Sequence, residues 1–392
     1  MMQSIACPIG MAVSLFFCFG CQSSETSKQD GIPRIAISEE HILPFDQVAT
    51  EVRFISLRPP ENPSQNLASM IYHLFISDKI YYATNWYERT AVHIFDLDGN
   101  HINSLEKKGD GPAEYQLIQG IYIDDEVLSI SSGQGVIKQY SLSDLTYIKE
   151  FTLGKSFLLS NFYPLDASSW LISVEFTGEL DENGTFPVFM KVNSENGALS
   201  PLPIKASSVN AKLGEGSIAP FDNQFLLNYG LSDTLFTYDG DHVHAHLVLD
   251  FGNKHPDQKY LSANPEKFDQ IVLDQSSAIN LGHINYTAHT IQLKTFGPKE
   301  SRMLDVKDLR TFPFHTVFIG PDQQVVGFLS FSGAEGKGFA KDGYFYEVLQ
   351  TEDWMYAMEN NLFGDYGAAL EAYLETIPDP EDPIIMEFKV AF

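Results

Sequence analysis

The chain has 392 residues, of which 44% are apolar and 13% aromatic, and its 52 acidic residues against 25 basic ones give a formal net charge of −27. That apolar content builds a sizeable core and excludes a disordered tail as the whole molecule. The charge repels phosphate backbones and anionic head groups and there is no Lys/Arg-rich stripe, so nucleic-acid binding is excluded as the role.

All three cysteines, Cys7, Cys18 and Cys21, fall within the first 21 residues. The remaining body therefore has no disulfide framework and no thiolate metal site, and must hold itself together by apolar burial. Residues Ile9 to Phe19 form an apolar run too short to span a bilayer but of the right length for the core of a signal peptide. Gly20-Cys21 follows, and then a polar stretch from Gln22 to Asp30. This pattern resembles a bacterial lipoprotein signal, in which a small residue precedes a Cys that is acylated before cleavage. Cys18 stands where Leu is usual, and the segment before the apolar run has no Lys or Arg, so an ordinary secretory signal is the alternative. The expected organisation is a signal over residues 1–20, lipidation of Cys21 giving a membrane partner through the acylated N-terminus, a flexible linker over 21–33, and a folded body over 34–392.

Within the body, Arg34–Ser38 and Val52–Leu57 read as strands. From about residue 67 the chain settles into short apolar runs with period-2 alternation, each closed by a turn signal. One unit runs from Ile71 to Leu105, with a hairpin turn at Asp98-Gly99-Asn100. A second spans Ile118 to Leu153, and further units are drawn at 157–203, 216–250, 278–308 and 312–349. Four strands per unit and a period of roughly 40–50 residues predict an all-β, six-bladed β-propeller of four-stranded blades. Two segments break the rhythm. Asn264–Gln275 opens on Asn-Pro-Glu and predicts a short capped helix. Leu370, Tyr373, Leu374 and Ile377 share one face of an amphipathic helix, expected on the rim. The last strand, Ile384–Val390, is expected to complete a blade begun by N-terminal strands and so close the ring.

Four segments carry a resemblance. Phe95-Asp-Leu-Asp-Gly99 leads into Lys107-Lys-Gly-Asp-Gly-Pro-Ala-Glu-Tyr115; Ser232–Tyr238 is followed by Leu249-Asp-Phe-Gly252; and Glu51–Leu57 and Asp382-Pro-Ile-Ile mark the two ends. In this order they resemble the six-bladed β-propeller lipoproteins common in Bacteroidota, of the NHL/TolB-like type. The resemblance covers roughly residues 34–392. It implies that fold and a lipid-anchored location in the cell envelope, at the outer membrane, and implies no activity or cofactor. Ala113 departs from the family's Gly at that point of the loop.

Two constellations are candidate sites. The loop of Gly109, Gly111, Pro112, Glu114 and Tyr115 would present a carboxylate to hydrogen-bond a sugar hydroxyl and a ring to stack on it; as a purely structural turn, the glycines allow tight geometry and Glu114 caps backbone N–H groups. His242, His244 and His246 would share one face of a strand at about 6.6 Å intervals, within reach of a shared metal ion if a carboxylate joined them, or they are simply the polar face of an outer strand. No nucleophile elbow, zinc-protease or kinase motif is present. The functional expectation is a ligand or protein partner, glycan-related in one version, bound on the axial face of the propeller. A glycan-acting lyase or hydrolase at the central channel and a scaffold in an outer-membrane complex are the alternatives.

Overall fold

The computed structural model describes residues 31–392 apart from 60–66, 68–71, 87–88, 125, 134, 154–158, 160, 175–178, 214–215, 269, 271–276, 298–313 and 332–337. Cys21, the signal segment and most of the linker lie outside the described residues.

Strands β1 (Arg34–Ala36) and β2 (Ala49–Ser56) precede the blades. Blade 1 holds β3 (Tyr72–Ile76), β4 (Ile80–Trp86), β5 (Arg89–Phe95) and β6 (His101–Leu105). Blade 2 holds β7 (Gly120–Ile123), β8 (Val127–Ser131), β9 (Val136–Ser141) and β10 (Tyr147–Thr152). Blade 3 is β11 (Phe162–Pro164), β12 (Ser169–Ser173), β14 (Phe189–Asn193) and β15 (Leu199–Pro201), with β13 (Thr185–Pro187) and β16 (Lys205–Ser207) paired as a separate ribbon. Blade 4 is β17 (Ser217–Phe221), β18 (Gln224–Asn228), β19 (Thr234–Tyr238) and β20 (Val243–Asp250). Blade 5 is β21 (Ile279–Thr287), β22 (Thr290–Phe296), β23 (Phe314–Ile319) and β24 (Val325–Leu329). Blade 6 combines β25 (Phe339–Lys341), β26 (Tyr344–Leu349) and β27 (Ile384–Val390) with β2 from the other end of the chain. This is the six-bladed propeller that the sequence rhythm predicts, closed by N- and C-terminal strands.

Period-2 alternation explains why the sheets must form a ring. Each strand sends alternate side chains to opposite faces, so each blade has two apolar faces and neither can be left to water. In β26, Phe345 and Leu349 pack toward blade 5, while Tyr346 and Val348 pack toward blade 1. Every seam has its own core of this kind: Val92 and Ile94 meet Ile123 and Ile130 between blades 1 and 2, and Leu235 and Leu247 meet Leu293 and Val317 between blades 4 and 5. About the axis β3 lies against β7, β7 against β11, blade 3 against β17, β17 against β21, β21 against β25, and β25 against β3.

The blade boundaries differ from the sequence reading in one place. β23 and β24 do not open a unit at 312; they complete the blade begun at Ile279, and 339–349 belongs to the closing blade. Hairpins carry no label for the sheet they join, and closure of the ring decides it.

The N-terminal segment forms a strap around three blades. β1 adds to β20 in parallel, Ile42 bridges Gly327 on β24, and β2 then pairs antiparallel with β27. Between them helix α1 (Phe45–Val48) buries Phe45 among Phe328, Phe331, Phe363 and Phe388.

The helix expected at Asn264–Gln275 is preceded by another. Helix α2 (Gln258–Ala263) starts after Asp257, whose carboxylate accepts from the N–H groups of Lys259 and Tyr260, and Asn264 is its C-cap. Pro265 opens a 3-10 turn over Pro265–Lys267, after which Phe268 and Gln270 are helical, within the expected span; residues 269 and 271–276 lie outside the described residues. Two helices, α3 (Thr351–Glu359) and α4 (Tyr366–Leu374), are inserted between β26 and β27. Leu370 of the predicted amphipathic face is fully buried, and Ile377 joins the same core as Phe45.

At the end of this insertion Asp382 is buried, and burial beside Asp379 and Glu381 pushes its carboxyl up to about 7. A carboxyl raised in the folded state holds its proton after the unfolded chain has lost its own. Its contribution to stability is therefore full at pH values below the ordinary Asp range and is lost as pH rises through about 7. Asp382→Asn is expected to raise the melting temperature at pH 8 and to leave it unchanged near pH 4. Equal shifts at both pH values would contradict this assignment.

Candidate functional site

The Gly109–Tyr115 loop connects the outer strand of blade 1 to the inner strand of blade 2, and its polar groups are engaged within the protein. Glu114 folds back so that Oε2 accepts the N–H of Gly111 at 2.8 Å. A Cβ on Gly109 would meet that carboxylate, so a larger residue there would push the Glu114 side chain aside. Tyr115, expected at an exposed blade top, is instead 1% exposed, and its hydroxyl donates to the carbonyl of Leu105 at 2.6 Å. From blade 2, Lys138 donates to the Pro112 carbonyl and Tyr140 to that of Ala113. The loop ties two blades together, and its ring is enclosed where no ligand could stack on it.

The three histidines do not share one face. A β-bulge in β20 pairs Leu235 with Leu247 and Phe236 with Ala245, leaving His246 as the extra residue. His242 and His244 stay exposed on either side of Asp239, 4.0 and 3.8 Å from its carboxylate. His246 turns against the Phe221 ring, with 5.1 Å between centroids, and burial lowers its pKa. Among the described residues no group of three or more His, Cys, Asp or Glu side chains is arranged to hold a metal ion.

The ring itself builds a third feature at its axis. A cavity of about 760 Å³, counting the part open to solvent, takes lining residues from all six blades. They include His73 and Phe75 from blade 1, Ile121 from blade 2, Asn161 and Tyr163 from blade 3, Ser217 from blade 4, His283, Asn285, Gln292 and Lys294 from blade 5, and Phe339 from blade 6. Most come from the beginnings of the inner strands, so the cavity lies toward the end at which the chain arrives from the preceding blade.

Aromatic rings form part of the wall. Phe339, Phe75, Tyr122, Tyr163 and Phe225 follow one another across five blades, with centroids 5.0, 5.9, 5.4 and 5.9 Å apart. Of these, Phe75, Tyr163 and Phe339 line the cavity, and Tyr122 and Phe225 join them at spacings that suit edge-to-face and tilted contacts. Opposite them, Asn285 donates to Gln292 at 2.8 Å, and Gln292 donates to Glu347 at 3.3 Å. Thr316 also donates to that carboxylate oxygen, at 3.2 Å. Glu347 belongs to the face of β26 that meets blade 5, so it stands behind the cavity wall and fixes which way the Gln292 amide points.

Lys294 sits in a strand whose every residue is buried, and is itself 3% exposed. Burial lowers its pKa, while the negative charges of Glu347 and Asp353 work in the opposite direction. Asp353, at the start of α3, has its carboxyl raised to about 6, chiefly by burial. Sequence inspection singled out neither His73 nor Lys294. A lone charged residue within the otherwise uncharged run Thr290–Phe296 is the signal that marks Lys294.

The sequence model of the family described as "Domain of unknown function (DUF4934)" matches residues 33–361. Among solved structures, a Bacteroides fragilis protein inferred to be exported superposes with a TM-score of 0.66 at 13% identity, covering 92% of this chain and 100% of its own. A member of the DUF4221 family from Bacteroides vulgatus superposes with a TM-score of 0.58 at 12% identity, covering 88% of this chain and 99% of its own. At such identities the likeness is one of fold. No curated protein matches the chain.

Proposed function

We propose, on the premise that this chain belongs to the DUF4934 family, that it is an exported propeller of the cell envelope that binds a small polar ligand in its axial cavity. The observation that carries this reading is the convergence of all six blades on one cavity that combines amides, imidazoles and an ammonium with a wall of aromatic rings. Pockets that pair an apolar surface with a few placed polar groups are the usual form of a small-molecule site. A glycan-cleaving hydrolase would need two carboxylates facing the bond to be broken. None of the described lining residues is Asp or Glu, so the binding reading is preferred to it.

A screen of the purified chain against mono- and disaccharides and short peptides, read by ligand-observed NMR, is expected to give binders that the substitution His73→Ala weakens. Uniformly flat responses would refute the assignment. The export and outer-membrane part of the proposal is supported by the apolar run before Cys21, by the absence of any later cysteine, and by the fold it shares with a protein inferred to be exported. Cys21→Ala is expected to move the chain from the membrane fraction to the soluble one. Unchanged partition would exclude a lipid anchor at that residue.

A further inference from the structure

The hydrogen bonds behind one side of the cavity run in a single direction. Glu347 is 1% exposed, and a carboxylate accepts hydrogen bonds without donating any. The buried Gln292 amide therefore turns an N–H toward it, at 3.3 Å, and leaves its oxygen on the other side. Asn285 must meet that oxygen with its own N–H, at 2.8 Å. The order is set from the buried end, where Thr316 also donates to Glu347 Oε1 at 3.2 Å. What remains at the open end is the oxygen of Asn285. This residue is half-buried on the cavity wall, and among the described residues no hydrogen bond reaches its Oδ1. Each bond along such a chain polarises the next, so this oxygen is a stronger acceptor than a solitary amide would offer.

The backbone places that acceptor beside an apolar surface. A Cβ on Gly338 would lie 3.6 Å from Gln292 Oε1 and 3.7 Å from Asn285 Nδ2, so the chain passes close over the bond between the two amides. Phe339 follows at once, and its ring centroid is 5.0 Å from that of Phe75. Asn285, Gly338, Phe339 and Phe75 all line the cavity. The ammonium of Lys294 already has Glu347 and Asp353 beside it, so the wall calls for no charged ligand.

We infer that the ligand is a neutral pyranose that donates one hydroxyl to Asn285 Oδ1 and lays its C–H face on Phe339 and Phe75. This rests on the axial cavity being the ligand site. A sugar hydroxyl both donates and accepts, so a neighbouring one takes up the second N–H of the same amide. An amide-bearing side chain would pair with Asn285 as well, but it brings no apolar face to the rings. A wholly apolar ligand would cover the rings and leave the acceptor without a partner, which costs more than the contact gains. A ring with one C–H face and a rim of hydroxyls satisfies both sides of the wall.

The probes are the methyl β-glycosides of glucose, galactose and mannose, titrated into the full chain and read by ligand-observed NMR. At least one is expected to bind with its ring C–H protons shifted upfield, the sign of stacking on an aromatic face. Among the monodeoxy analogues of that sugar, one is expected to bind about tenfold more weakly than its parent. In Asn285→Ala the same analogue and its parent are expected to bind alike. Deoxy analogues that all bind as the parent does, or a gap that persists in Asn285→Ala, overturn the inference. Binding by none of the glycosides overturns it too. If the wider screen then finds an amide-bearing peptide, the cavity remains a ligand site; if that screen is flat, the underlying reading falls as well. The upfield shifts and the deoxy series use the unmodified chain, so the test holds even if Asn285→Ala does not fold.

Discussion

A chain that ends at Pro383 is expected not to fold. The deletion removes β27, the middle strand of the closing blade, which pairs from Phe388 to Ile384 with β26 on one side and from Val390 to Ile384 with β2 on the other. Ile384, Ile385, Met386 and Phe388 are all fully buried, and they fill the seams on both sides of blade 6. At roughly 1.5–3 kcal/mol for each large apolar side chain, the loss is of the order of 6–12 kcal/mol. That matches the whole net stability of a typical domain, about 5–15 kcal/mol. It would also leave β26 and β2 with unpaired edges and blades 5 and 1 with exposed apolar faces, a template for aggregation. The expected result is loss of the cooperative thermal transition and of near-ultraviolet circular dichroism. A truncated chain that still melts cooperatively would show that blades 1 to 5 stand without closure.

The second large effect is expected at the seam between blades 4 and 5. Asn280 and Asn228 are both fully buried, and they exchange side-chain hydrogen bonds of 2.6 and 3.1 Å. Asn280 also donates to the Ser232 carbonyl at 2.9 Å and accepts the N–H of Gly282 at 3.0 Å. Replacing it with Ala takes this partner from the Asn228 Oδ1, the Ser232 carbonyl and the Gly282 N–H in a dry interior, while the Asn228 amide nitrogen keeps its bond to the His283 carbonyl. Each stranded buried group costs about 1–3 kcal/mol, so a loss of at least about 3 kcal/mol is expected. Backbone geometry compounds the effect, because Gly282 has φ +87° and a Cβ there would lie 2.6 Å from the nitrogen of Gly230. The seam is thus pinned by backbone as well as by side chain. Urea melts of Asn280→Ala, Asn228→Ala and the double variant provide the check. Since both residues serve one network, the double variant should cost much less than the two singles combined. Additive losses would mean that the two amides act independently.

The particular residues explain how far sequence alone reaches into this protein. Blades 1 and 2 are legible because their hairpins are short and their alternation is clean. In blade 1, Asp96 accepts the N–H groups of Asp98 and Asn100, and Gly99 takes φ +81°. These are local facts, and a sequence records local facts well. The division between blades 5 and 6 is not local, because β26 could pair with a strand on either side until β27 arrives from beyond a helical insertion. The histidine run fails for a similar reason. Its alternation is real, but the bulge at His246 depends on the partner strand and turns one ring away. Glu114 and Tyr115 are conspicuous as a motif, yet they serve the turn that holds them.

The axial cavity is the least legible feature. His73 and Lys294 are separated by more than half of the chain and come together only when the ring closes. His73 is an isolated polar residue within an apolar strand and Lys294 stands among Thr290, Gln292 and Thr295, and many such residues in a protein are merely satisfied core groups. What distinguishes these is position, at the beginnings of inner strands or beside them, and position about an axis is a property of the assembled ring.

The strap formed by residues 34–56 also fixes how the molecule takes a mechanical load. Tension along the N-terminal segment first meets β1, whose Arg34, Ile35 and Ala36 lie in parallel register with Val248, Leu249 and Asp250. A pull along that strand loads its backbone hydrogen bonds together, sideways to their length, and does not peel them one at a time. Beyond it the same strain must cross the outer edge of blade 5 before it reaches β2, the outer strand of blade 6. The strand that closes the ring is therefore the last to feel the tug, and three blades share it as a hoop shares the tension of its rope.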